Sequence, residues 1–286
     1  MTDVTSPAGL TRLRRMAAEQ PQELFDFEAS ARAWDTLYDA SDFDSVAYYR
    51  PRLERTLTWV DSLALPVDAR VLEIGFGAGR TAIALAQRGL LVTGIDSSHR
   101  MVEQAAQRVA RYGLSARIRL GEGDVHALDA ADGTVDLVVA LGVLPWVERP
   151  GWCVREMARV TRPGGHVIAS VNNRRQLNRV LDPRLNPMVE PAKRAVRRTP
   201  GGRRGDPRNP RHDSWRQYER WLQAAGLQAV RKASLGFGRF SLGARPLLSE
   251  ATSIRMNERL QARADAGFPG LRSAGGQMLV LSRKRR

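Results

Sequence analysis

The sequence has one cysteine, Cys153, among 286 residues. A single thiol closes no intrachain disulfide and builds no cysteine-based metal cluster. Long apolar runs are missing too. The longest mostly apolar stretch, residues 135–147, is broken by Asp136. It is shorter than the roughly 20 residues that a membrane-spanning helix needs. The first residues, MTDVTSPAGL, lack the charged n-region and apolar core of a secretory signal. These absences predict a soluble protein of a reducing compartment, and so a cytoplasmic location. Lysine is scarce: Lys193, Lys232 and Lys284 are the three among 45 basic residues. So strong an arginine bias can follow genome base composition as well as function. Acidic residues are scarce in one half only. Residues 1–150 hold 16 basic and 21 acidic side chains, and residues 151–286 hold 29 and 9. The second half is expected to present a face to something anionic.

Against these absences stands a regular alternation. Residues 1–65 are expected to form a helical cap, with Leu53, Leu57, Val60 and Leu63 at the three- and four-residue spacing of an amphipathic helix. From residue 70 short β-type runs alternate with helical ones: strands over 70–74, 90–95, 116–120, 135–141 and 166–171, and helices over 81–87, 100–112 and 150–160. Ser98 is expected to cap the second of these helices. Such alternation predicts an open, doubly wound α/β sheet over residues 66–171. Residues 172–213 form a basic insertion. Residues 214–286 then complete the sheet, with a helix over 214–225, strands over 228–235 and 277–282, and a further insertion over 238–275.

The first strand ends in Gly75-Phe76-Gly77-Ala78-Gly79 and opens a helix. Glycines there let a ligand approach the backbone, and the helix N-terminus offers free N–H groups. A dinucleotide fold wants G-x-G-x-x-G, whereas this chain has G-x-G-x-G with Glu73 two residues before it. A carboxylate at that point repels a pyrophosphate and suits a cationic amino group. Asp96, at the tip of the next strand, is placed for ribose hydroxyls. The expected ligand is adenosine-like and carries a cation where a dinucleotide carries phosphates.

The segments VLEIGFGAGR, GIDSSHRM, GEGDVHAL, VDLVVALGVLPWV and EMARVTRPGGHVIAS resemble, in order and spacing, the class I S-adenosylmethionine-dependent methyltransferases. They look most like the subgroup with the ubiquinone/menaquinone and small-molecule methyltransferases. The resemblance covers roughly residues 30–171, and more loosely 214–237 and 277–282. It implies a Rossmann-like, mostly parallel seven-stranded sheet and S-adenosylmethionine as cofactor. It further implies that Glu73, Gly75, Phe76, Gly77 and Gly79 hold the methionine moiety. Asp96, flanked by Ser97, would take the ribose, with Met101 close to the adenine. Asp124 would accept from the adenine amine while Val125 packs on the ring, and Leu141 would face the sulfonium. Many relatives carry paired histidines where this chain has Pro145-Trp146, so the chain departs from the pattern on the substrate side.

For the acceptor side the candidates are Tyr48, Tyr49 and Trp146, whose ring faces can stabilise a cation. A general base, if one is used, is sought in His212 or His126. No base at all is the favoured reading, because displacement at a sulfonium draws much of its rate from alignment. The acceptor is expected to be a small molecule or a sugar- or lipid-linked metabolite, with oxygen as the accepting atom. Two rival readings are an RNA-modifying methyltransferase that uses the basic half and a non-catalytic cofactor-binding protein. In residues 172–213 Leu177, Val180, Leu181, Leu185, Met188 and Val189 recur at near-helical spacing, with Arg174, Arg175, Arg179 and Arg184 beside them. The segment reads as a lid candidate able to meet an anionic membrane surface, RNA phosphates or an anionic substrate. A seat at the inner membrane surface is therefore the alternative location.

Overall fold

The computed structural model describes residues 38–182, 186, 210–243 and 245–285. The helical cap expected over residues 1–37, and the insertion at Arg184, Leu185, Met188 and Val189, lie outside them. A π-helical turn, Ser45–Tyr49, leads into α1 (Arg50–Ser62). Then follow β1 (Arg70–Ile74), α2 (Arg80–Ala86), β2 (Leu91–Asp96), α3 (His99–Arg111), β3 (Ile118–Glu122), β4 (Val135–Ala140), α4 (Pro150–Val160) and β5 (Thr161–Asn172). After the insertion come α6 (Trp215–Ala224) and β6 (Leu227–Leu235), with the short helix α5 (Leu177–Leu181) before them. A small hairpin of β7 (Ser241–Leu242) and β8 (Arg245–Pro246), then α7 (Glu250–Asp265) and β9 (Gln277–Lys284), complete the chain.

Seven strands make one sheet in the order β3-β2-β1-β4-β5-β9-β6. Strands β1 to β5 are parallel, and β9 runs antiparallel between β5 and β6. This is the doubly wound, mostly parallel seven-stranded fold read from the sequence. The connections reverse direction between β1 and β4, so a crevice opens at their carboxyl ends.

Alternate residues of β4 enter opposite layers. Val138 and Ala140 join the core under α4 and α6, and Leu137 and Val139 join the one under α1, α2 and α3. All four are fully buried, as the unalternating apolar run requires. Ser98 does cap α3, its Oγ accepting from the Met101 N–H. On α6 the aromatic stripe packs as expected. Tyr218 and Leu222 are buried, Trp215 and Trp221 lie against them, and the Tyr218 hydroxyl donates to Ala169 O at 2.9 Å.

Four local expectations need correction. Strand β5 starts at Thr161, not at residue 166: Val135 pairs with Thr161 and Leu137 with His166, so the turn-like Arg162–Gly165 stretch is an irregularity inside the strand. Strand β3 starts at Ile118, because Arg117 and Ile118 both donate to Leu114 O and hold 114–117 in a turn. On α1 the buried residues are Arg52, Thr56, Trp59 and Val60, with Leu57 and Leu63 only partly buried beside them. The insertion over 238–275 holds a 16-residue helix, α7, which no apolar period announces. It docks through polar side chains instead: Asn257 Oδ1 accepts from Phe237 N, and Gln261 bonds Gly236 N and Ser234 O. No helix among the described residues is long and apolar enough to cross a membrane.

Candidate functional site

The crevice at the end of β1 and β4 is a cleft of about 1040 Å³. That is the upper end of the usual range for ligand sites, roughly 300–1,000 Å³. Its floor is the loop from β1 into α2. Gly75, Gly77 and Gly79 all have left-handed backbone, with φ of +66°, +51° and +76°, where a side chain is strained. Packing divides the three. A Cβ on Gly75 would lie 2.4 Å from Val143 Cγ2, and one on Gly79 would lie 3.1 Å from Ala105 Cβ on α3. A Cβ on Gly77 would meet nothing within 4 Å. Gly77 therefore leaves open room in the cleft, while Gly79 sets α2 close to α3 and does not line it.

Two acids stand on the rim. Asp96 ends β2, and its two oxygens accept from Gly77 N at 2.9 Å and Ser98 N at 3.1 Å. Those bonds tie the carboxylate to the glycine loop. Asp124 follows β3 and accepts from both the backbone N–H and the ring Nδ1 of His126, at 2.9 and 2.7 Å. These contacts hold its carboxyl below the usual range. Ser97, Val125, Leu141, Tyr49 and Trp146 also line the cleft, as do Phe76 and Met101, which pack together beneath it. His99 is exposed and sits between Glu103 and Glu122, chiefly Glu122, which raises its pKa.

Glu73 lies one layer behind the loop rather than in the cleft wall. It is 3% exposed, and burial pushes its pKa up to about 8 despite a hydrogen bond from Thr81. Its Oε2 has no hydrogen-bond partner among the described residues. A buried carboxyl half satisfied in this way is a reservoir of negative charge that a neighbouring cation would draw out.

Arg52 is the residue that sequence reasoning missed. It is 5% exposed yet lines the cleft, and it lies over Gly142 just past β4. A Cβ at Gly142 would fall 2.8 Å from its Nη1. Its guanidinium rests on the Tyr49 ring at 5.4 Å, its Nε is unbonded, and among the described residues no carboxylate pairs with it. The signal was the i, i+4, i+7 stripe Arg52, Thr56, Trp59, which the neighbouring leucines obscured. Arg80 also lines the cleft, paired with Asp39 and stacked on Tyr38.

Two expected residues are elsewhere. Tyr48 packs against Gly236 and Gly276, where an added Cβ would come within 2.1 and 2.7 Å of its ring, and it does not line the cleft. The π-helical turn rotates it away from the cleft and presents Tyr49 instead. His212 lines a second cleft, with Arg149 and Trp221. Burial and the charge of Arg179 press its pKa down to about 4. His126 is the histidine that lines the glycine cleft.

Comparison with known proteins supports the domain and the fold. Residues 72–169 match the family described as a methyltransferase domain. Phosphatidylethanolamine N-methyltransferase of Cereibacter sphaeroides is 42% identical over 99 residues, 35% of this chain and 48% of that protein. Ubiquinone biosynthesis O-methyltransferase of Paracidovorax citrulli is 33% identical over 158 residues, 54% of this chain and 63% of that one. The chain thus spans about half of the first relative and under two thirds of the second. Among solved structures, magnesium protoporphyrin IX methyltransferase from Synechocystis PCC 6803 with bound SAH superposes with a TM-score of 0.60 at 18% identity, over 92% of this chain and 97% of that one. The resemblance to class I S-adenosylmethionine-dependent methyltransferases read in the sequence is borne out.

Proposed function

We propose that this chain, built on a class I methyltransferase fold, transfers a methyl group from S-adenosylmethionine to a small-molecule, sugar- or lipid-linked acceptor, with oxygen as the accepting atom. The observation that carries the reading is the mixed sign of the groups around one glycine floor: Arg52, Glu73 and Asp96. S-adenosylmethionine presents a carboxylate, an ammonium, a sulfonium and a ribose, and each finds a complement here. Arg52, buried without a carboxylate among the described residues, takes the α-carboxylate. Glu73 supplies negative charge beneath the loop for the ammonium, and Asp96 takes the ribose hydroxyls. Asp124 and Val125 meet the adenine, with Met101 beside it. A dinucleotide pyrophosphate in the same place would face Glu73 and Asp96.

When bound, this cofactor would supply an electrophilic methyl carbon open to in-line attack by an acceptor lone pair, with the thioether sulfur leaving and keeping the electrons of the broken bond. The chain's own part is alignment and exclusion of water. Tyr49 and Trp146 line the cleft, and an aromatic ring face stabilises a cation by up to about 2 kcal/mol. Of the two histidines considered, we take His126, which lines the cleft and is bonded through Nδ1 to Asp124, as the candidate to carry the acceptor's proton away. The names of the relatives pair an O-methyltransferase of quinone synthesis with a phospholipid N-methyltransferase, and both support an apolar or lipid-linked acceptor. The test is transfer from methyl-labelled cofactor into fractionated cell extract. Label in the small-molecule or lipid fraction, lost in Asp96→Ala, is the expected result. Label confined to RNA would overturn it in favour of nucleic-acid modification.

A further inference from the structure

The second cleft, about 850 Å³, belongs to none of the machinery above. It lies where α4 and α6 start side by side, and five arginines line it: Arg149, Arg155, Arg174, Arg211 and Arg220. Among the described residues Asp213 is the one carboxylate in its wall, and it is engaged by Arg211 at 3.3 Å. The cleft therefore carries an excess of about four positive charges. We propose that it is a binding site for a phosphate-bearing polyanion, of the size and charge of a pyrophosphate group.

Charge, donors and rigidity point the same way. A single phosphate leaves most of that positive charge uncompensated, while two linked phosphates come close to matching it. The guanidinium carbon of Arg155 lies over the Trp152 ring, 5.2 Å from its centre, and that of Arg211 over Trp221 at 5.9 Å. A guanidinium held over an indole offers planar N–H donors to phosphate and has less freedom left to lose on binding. Gly151 lets Trp221 approach, for an added Cβ would come 2.9 Å from its ring. The starts of α4 and α6, helices of 11 and 10 residues, both open into the cleft and add the positive ends of two helix dipoles.

The cleft shares a wall with the glycine cleft. Residues 145–148 line one and 149–152 the other, Arg211 N donates to Pro145 O at 2.7 Å, and Trp152 Nε1 donates to His126 O at 2.9 Å. The two sites are distinct, and each is tested without the other.

The experiment is calorimetric titration of the full chain with sodium pyrophosphate at constant ionic strength. It compares wild type, the cleft variant Arg149→Gln/Arg155→Gln/Arg220→Gln, and a control, Arg100→Gln/Arg111→Gln/Arg259→Gln, that removes the same charge from exposed positions elsewhere. The expected result is at least tenfold weaker binding in the cleft variant, less than threefold in the control, and S-adenosylhomocysteine affinity unchanged in both. No pyrophosphate binding by wild type at millimolar concentration, or equal weakening in both variants, overturns the proposal whatever the cofactor does. Competition then names the source of the phosphate. Phosphatidylglycerol vesicles that displace pyrophosphate support the site with a lipid headgroup as occupant, and vesicles that do not displace it support a free ligand. An RNA oligonucleotide that binds wild type, is lost in the cleft variant and resists displacement by pyrophosphate overturns the proposal in favour of a nucleic-acid groove.

Discussion

The two clefts share a wall and are built in opposite ways. The glycine cleft comes from consecutive backbone: a strand end, three left-handed glycines and a helix start, with acids on the tips of the next strands. Its charges are few, of both signs, and partly buried. The arginine cleft comes from three separated segments, near residues 149–155, at 174 and over 211–224, and its cations are exposed and of one sign. Specificity in the first rests on shape and desolvation, where one atom out of place matters. In the second it rests on summed charge, where no single side chain is decisive and salt weakens the grip.

That difference ranks the expected effects of substitution. Gly75→Ala combines left-handed strain with a clash against Val143. A loss of about 2–5 kcal/mol is expected, read as a lower melting temperature together with failure to bind S-adenosylhomocysteine. An unchanged melt and affinity would mean that the loop is looser than its backbone suggests.

Glu73 gives a pH signature. Its folded pKa of about 8 stands above the ordinary value of 4.5, so between those values the folded protein holds a proton that the unfolded chain has released. Stability should therefore fall as pH rises through that window, by on the order of a few kcal/mol. Glu73→Gln should lack this slope. Cofactor binding below pH 8 should release a proton as Glu73 ionises, a step that titration in buffers of different ionisation enthalpy detects. Parallel pH profiles for wild type and variant would remove Glu73 from the site's electrostatics.

Smaller effects follow at the rim. Asp96→Ala should weaken cofactor binding about tenfold or more, since charge-assisted hydrogen bonds contribute about 1.5–3 kcal/mol, while the fold survives. Arg52→Gln should reduce affinity by about 1.5 kcal/mol and leave the melting temperature equal or higher, because an uncompensated buried charge is removed. A sharp drop in stability would instead make Arg52 a structural residue. In the arginine cleft, Arg149→Gln, Arg155→Gln and Arg220→Gln should each change stability by less than about 0.5 kcal/mol. A larger change would show that their stacking supports the fold.

The same contrast explains what could be read from the sequence. Strand alternation, the glycine loop and the tip acids Asp96 and Asp124 depend on local backbone requirements, and local requirements leave a pattern in consecutive residues. Arg52 was hidden because its stripe on α1 mixes Arg, Thr and Trp, which no apolar period marks. Both Tyr48 and Tyr49 are candidates in the sequence, and only Tyr49 lines the cleft; a π-helical turn adds about a residue per turn, so the faces that an α-helical spacing would give do not separate the two. Helix α7 was invisible for a related reason, since polar Asn257 and Gln261 do its docking. The arginine cleft had no pattern to read, since its residues meet only when α4 and α6 pack side by side.

The most direct test of the glycine cleft is a calorimetric titration of the purified chain with S-adenosylhomocysteine and, separately, with NAD. Micromolar binding of S-adenosylhomocysteine, on the order of −8 kcal/mol, and no binding of NAD is the predicted result. Binding of NAD without S-adenosylhomocysteine would contradict it, and with it the roles given to Arg52, Glu73 and Asp96.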